Sequence, residues 1–160
     1  MKLNVDGSFF KRKNNAACGG VFRNHLDRFV VGFSCNLGSC SIIQAELWSI
    51  VKGLHIAVAN EFSHVLIESD SAMAINFIRE DCINSHSCKP LLDNINLLSS
   101  RIHKVEWKHT LREANTVANT LANKGQDLPL GLHLFDALPP DIKNSLLLDS
   151  YGSLRLRGSC

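Results

Sequence analysis

Leu3 and Val5 alternate with Asn4, Asp6 and Ser8 over residues 2–8, the two-residue period of a strand whose faces differ. The charged run Lys11-Arg12-Lys13-Asn14-Asn15 then predicts a turn. Two further strands are predicted over 18–23 and 29–35, separated by the polar Asn24-His25-Leu26-Asp27, so the first third reads as an antiparallel meander. Ser41 with Gln44 three residues on is the pattern of a capping box, and Ile43, Leu47, Ile50, Val51, Leu54 and Val58 follow at helical spacing. His64 to Glu68 has strand length, and Ser69-Asp70-Ser71 opens a second helix through about Arg79.

Pro90 stands where a helix begins, ahead of a stripe of Leu91, Leu92, Ile95 and Leu98. A strand over 105–109 leads to Thr110 and Glu113, a second capping-box pattern, followed by Ala114, Val117, Ala118, Leu121 and Ala122, with Gly125 just past the end. Three antiparallel strands followed by alternating helices and strands predict an α/β fold: a five-stranded mixed sheet, its last two strands parallel, flanked by helices. The domain is expected over 1–126. Residues 127–160, with Pro129, Pro139 and Pro140, are expected to form a loosely packed extension.

Composition narrows the class. The 160 residues are 45% apolar and 20% charged, the balance of one globular domain rather than a disordered chain. A formal charge of +2 does not by itself announce a nucleic-acid binder, so any such reading must rest on where charges sit. No unbroken apolar run approaches the roughly 18 residues of a membrane span and no signal-peptide core follows Met1, so the expectation is an intracellular protein, nuclear or cytoplasmic, without membrane association. The six cysteines show no CxxC pair or zinc-finger spacing with histidine, and are read as free thiols.

The candidate chemistry is acidic. Asp6 lies inside a strand, where β-propensity disfavours aspartate. Glu46 shares a helical face with Ile43, Ile50, Gly53 and Ala57, so its carboxylate is aimed near the packed side. Asp70 stands at the carboxyl end of a strand, where α/β folds place ligands. Each alone is better read as an ordinary exposed strand residue, solvated helix residue or helix cap. Together they would need a cation, because unit charges ~4 Å apart repel by about 4 kcal/mol at an effective dielectric of 20. Oxygen ligands select a hard ion such as Mg²⁺ or Mn²⁺.

The strings Leu3-Asn4-Val5-Asp6-Gly7-Ser8, Gly19-Gly20-Val21-Phe22-Arg23-Asn24, Ala45-Glu46-Leu47-Trp48, Glu68-Ser69-Asp70-Ser71, and His109 with Arg112-Glu113-Ala114-Asn115 occur in order across residues 2–125. Together they resemble the plant ribonuclease H-like domains of non-LTR retroelement-derived proteins. The Gly-Gly-Val and Arg-Glu-Ala-Asn strings argue against another nuclease or integrase of the same broad fold. The resemblance implies a sheet with the first strand central and a two-metal site that hydrolyses the RNA strand of an RNA–DNA hybrid. In that scheme Asp6 bridges both ions, Glu46 and Asp70 hold one near the attacking water, and His109 assists proton transfer or product departure.

The chain departs from that family at the fourth acid. Ten residues after His109 an Ala-Asp pair is expected, and Ala118-Asn119 stands there. An amide oxygen still ligates a cation but lacks the charge, so the ion shared by Asp6 and Asn119 should bind more weakly and turnover should be slow or absent. Expected substrate contacts are Gly7, Ser8, Lys11, Arg12, Lys13, Ser71, Arg112 and Asn115, with Lys104 and Lys108 as further phosphate candidates; the loop 80–89 adds no basic cluster. The expected partner is an RNA–DNA hybrid or RNA, met by a monomer with no small-molecule cofactor. The second reading is a module of the same fold that has lost catalysis and binds nucleic acid or protein.

Overall fold

The computed structural model describes residues 1–80 and 86–142. Its order is β1 (Lys2–Phe10), β2 (Asn15–Arg23), β3 (Phe29–Gly38), α1 (Ile42–Ala59), β4 (His64–Ser69), α2 (Ala72–Glu80), α3 (Lys89–Ser100), β5 (Lys104–His109), α4 (Thr116–Gly125) and β6 (Gly131–Phe135). The six strands form one sheet in the order β5-β4-β1-β2-β3-β6. β1 pairs antiparallel with β2 along its whole length and parallel with β4 over Lys2–Val5, and β4 pairs parallel with β5, so Asn4 has strand neighbours on both sides while Asp6 lies just past the end of β4. The predicted five strands are all present.

The sixth corrects the count. Residues 131–135, read as part of a loose extension, pair antiparallel with β3, Gly32 opposite Phe135 and Cys35 opposite Leu132. Farther on, Ile142 is fully buried with Val21, Val117 and Leu121. The short Gly-Leu-His-Leu-Phe run carries too little periodicity to be read as a strand without the open edge of β3 beside it. The apolar patch at 145–148, together with Cys82 and Cys160, lies outside the described residues.

Helices cover both faces of the sheet. On one, α1 lies over β1 and β2 and against α3, burying Leu3, Val5, Leu47, Ile50, Leu54 and Ile67. On the other, α4 packs on β1, β2 and β3. The alternation in β1 therefore separates an apolar face under α1 from a buried polar face under α4, not an inside from an outside: Asn4 and Asp6 are 0% and 3% exposed. The Ser41 capping box forms as read, with the Ser41 hydroxyl accepting the Gln44 N–H and the Gln44 side chain accepting the Ser41 N–H. By length and composition, the 18 residues of α1 pass as a membrane span although no 18-residue apolar run was read there. Its apolar side is taken up by the sheet and α3.

The start of α4 is the other correction. Thr110 and Glu113 do not cap it: Thr110 N–H donates to the Ser69 carbonyl, prolonging the strand register, and residues 112–114 make a single 3-10 turn. The helix begins at Thr116, and Gly125 is its last residue rather than a stop beyond it. Gly125 fits there because a Cβ would stand 3.0 Å from both Ala17 Cβ and the Cys35 carbonyl oxygen.

Candidate metal centre

The three acids come from three elements that meet where the carboxyl end of β4 reaches the middle of β1. Asp6 is in the middle of β1, Glu46 is one turn into α1, and Asp70 follows β4 directly. One carboxylate oxygen from each lies within 4.8 Å of the others. Ligands of a hard cation at about 2.1 to 2.5 Å stand up to about 4 to 5 Å apart, so the donor set fits such an ion in both chemistry and spacing. Asp6 and Glu46 are buried, and Asp70 is half-buried.

The backbone holds the first two together. Gly7 N–H donates to Asp6 Oδ1 and to Glu46 Oε2, each at 3.0 Å. Only glycine permits this approach, because a Cβ at position 7 would stand 2.7 Å from the Glu46 backbone nitrogen and 2.9 Å from the Ala45 carbonyl carbon. Burial pushes the Glu46 carboxyl up to about 9, with the charges of Asp6 and Asp70 and the hydrogen bond to Asp6 adding to the effect. Burial and the Asp70 charge raise Asp6 to about 6, against the lowering pull of hydrogen bonds from Asn119, Glu46 and Gly7. Burial thus disfavours the ionised form of both carboxyls.

Asn119 sits at the same centre but faces it with its donor. Its side-chain N–H₂ gives a 2.9 Å hydrogen bond to Asp6 Oδ2, and its oxygen accepts from Asn123 Nδ2 at 3.3 Å. To ligate an ion the amide would have to turn over. His109, exposed at the end of β5, donates from Nε2 to the Asp70 carbonyl at 3.3 Å. Together these residues line a cleft of about 460 Å³ that also takes in Gly7, Ser71 and Arg112.

The remaining site expectations divide. The exposed Lys11–Lys13 form a 3-10 turn beyond Phe10, about 16 Å along the chain from Asp6 at the usual strand rise. Arg112 is exposed on the cleft wall. Ser71 caps α2, its hydroxyl accepting the Ala74 N–H. Ser8 is 5% exposed, and its hydroxyl donates to Asn123 Oδ1 while accepting from Gln126, so it faces α4 rather than open cleft. Lys104 begins β5, about 17 Å along the strand from His109 at the usual rise, and its ammonium lies 3.7 Å from Glu106. It is therefore remote from the acids. Lys108 lies 3.9 Å from Glu68.

Asn115 is not an open contact. It is fully buried, donating to the Val5 carbonyl at 2.9 Å and accepting from Asn4 at 3.2 Å. Asn4 also donates to Glu68 at 3.0 Å and accepts from Arg23 at 3.1 Å. This buried polar cluster beneath the acids was missed as a functional unit. Its signal was present in the two-residue spacing of Asn4 and Asp6 and in charged residues at the ends of the apolar strands β2 and β4.

Comparison with known proteins agrees with this architecture. The family described as Reverse transcriptase-like matches residues 4–125. An Arabidopsis thaliana protein named as a ribonuclease H protein is 36% identical over 98% of this chain, and the chain spans 25% of that relative. Among solved structures, RNase H1 of Halobacterium salinarum superimposes with a TM-score of 0.74 at 20% identity, over 79% of this chain and 96% of that one. The N-terminal RNase H domain of a Mycobacterium tuberculosis protein gives 0.71 at 21%, over 79% and 94%. An RNase H1 from compost, solved with an RNA/DNA hybrid, gives 0.71 at 17%, over 79% and 96%. At these identities the structural likeness establishes the fold, which is that of RNase H.

Proposed function

This chain belongs to the Reverse transcriptase-like family as a plant ribonuclease H-like domain, and from that premise we propose that it is a ribonuclease H-type endonuclease acting on RNA–DNA hybrids with divalent metal ions. The observation that carries the reading is the convergence of Asp6, Glu46 and Asp70 within 4.8 Å, in a buried setting that leaves two of the three carboxyls reluctant to ionise. Mg²⁺ or Mn²⁺, two ions in this reading, would be held by these acids and would supply charge stabilisation at the attacking and leaving oxygens of a phosphodiester. Gly7 N–H orients Asp6 and Glu46 for that task.

The bond between His109 Nε2 and the Asp70 carbonyl fixes the ring beside the acids at the mouth of the cleft, where it assists proton transfer or product departure. Arg112 and the Lys11–Lys13 turn bind backbone phosphates, the sequence-independent part of nucleic-acid recognition. Asn119 sets the rate. With a donor toward Asp6 instead of a fourth negative charge, it weakens the hold on one ion, and turnover is slow. The domain acts as a monomer without a small-molecule cofactor.

The same Asn119–Asp6 hydrogen bond favours a second reading, a domain that binds hybrid or RNA without cutting it. Incubating the purified protein with labelled hybrid and Mg²⁺ or Mn²⁺, beside Asn119→Asp and Asp6→Asn variants, separates the two. Slow cleavage by the parent, faster cleavage by Asn119→Asp and none by Asp6→Asn is the expected result. Binding without cleavage by both parent and Asn119→Asp overturns the enzyme reading.

A further inference from the structure

Beside the acids, and running into their cleft, lies a second groove of about 430 Å³. Gly7, Ile42, Arg112 and Asn119 line both. Beyond Val5 the strand β1 pairs with β2 alone, and its last two residues, Phe9 and Phe10, border the groove from opposite faces of that free edge, 37% and 39% exposed. Their backbones are held in register opposite Ala16 and Asn15, so the rings stand on a fixed hairpin. The wall carries the Arg112 side chain, and the chain continues from Phe10 directly into Lys11-Arg12-Lys13.

We propose that this groove is a stacking subsite for unpaired nucleobases, so that the preferred substrate is a nucleic-acid strand with a single-stranded stretch beside the acids. The proposal rests on the reading of the site as a nucleic-acid site and deepens it. Aromatic rings interleaved with cations are the chemistry that binds single strands: every base has a π-face that stacks on a ring, while the cations follow the phosphates. A paired duplex presents phosphates and groove edges and keeps its base faces inside the stack, so it leaves exposed rings unsatisfied. The apolar rim continues around the acids in Ile42 and Leu111, 48% and 49% exposed, which suits base and sugar faces better than a purely ionic backbone. Continuity with the cleft lets one strand meet the acids with its phosphate and the phenylalanines with a neighbouring base.

The test compares the affinity of the full chain, in Ca²⁺, for a blunt RNA–DNA hybrid and for the same hybrid carrying a short unpaired RNA extension. The extended hybrid should bind about tenfold more tightly, the discrimination of roughly one stacked base. Phe9→Leu with Phe10→Leu keeps the apolar volume but cannot stack, and should abolish the preference; Phe9→Trp should keep it. Equal affinity for blunt and extended hybrid in the parent, or a preference that survives the double leucine change, overturns the subsite while leaving hybrid binding intact and points to a protein surface instead. Failure to bind either hybrid, with an unchanged melting profile, overturns the nucleic-acid reading itself.

Discussion

The Asn119 side-chain amide donates to Asp6 Oδ2 at 2.9 Å, a hydrogen bond that favours the ionised form of that carboxylate. An aspartate there would face Asp6 as a like charge and would gain only when a cation sits between them.

Asn119→Asp should therefore destabilise the metal-free protein by about 2 kcal/mol, through loss of a charge-assisted hydrogen bond and the repulsion that replaces it. Added Mg²⁺ should raise its midpoint more than it raises that of the parent. Urea unfolding with EDTA and with Mg²⁺ checks both; a variant as stable as the parent in EDTA contradicts the account.

Stability of the metal-free protein should fall as pH rises. Folding lifts Glu46 from the usual carboxyl range to about 9 and Asp6 to about 6, so between the unfolded values and these the folded state binds protons that the unfolded state has released. The contribution is complete below about pH 4 and is lost progressively as pH approaches 9. Saturating Mg²⁺ should flatten the profile, because an ion favours the ionised carboxylates. Denaturant midpoints from pH 5 to 9, with and without the metal, measure it.

Gly7→Ala should cost about 3 kcal/mol or more, an overpacking penalty at the upper end because the added carbon meets backbone atoms of α1 at 2.7 and 2.9 Å. Metal affinity should fall with it, since α1 carries Glu46 away as it yields. Calorimetric Mg²⁺ titration of the folded variant reads this second effect.

Asn115→Ala should lower stability by about 3 kcal/mol by leaving the Val5 carbonyl and an Asn4 N–H unpaired in the core. Asn115→Asp restores only the acceptor half of the pairing and should recover only part of the loss. Thermal melting of the two variants orders them.

Much of the fold was legible because its elements are built from local pattern. The Ser41-Gln44 box closes on itself within one turn, and the Leu91, Leu92, Ile95 and Leu98 stripe appears at helical period whatever it packs on. Asp6, Glu46 and Asp70 could be singled out because each departs from what its element prefers. α4 was placed too early because Thr110 and Glu113 have the right spacing for a cap, while the competing strand register, Thr110 to Ser69, depends on a partner 41 positions back.

The alternation of residue types along the chain by itself determined where strands and helices run and which acids were candidates, because those preferences act over a few residues. Tertiary structure decided the rest. Only with β3 exposed at the sheet edge does 131–135 become a strand, and only with Asn4, Arg23, Glu68 and Asn115 brought together does each buried polar group find its partner. Whether Asn119 turns oxygen or nitrogen to Asp6 is set by the charge across the gap, which exists once α4 lies on β1.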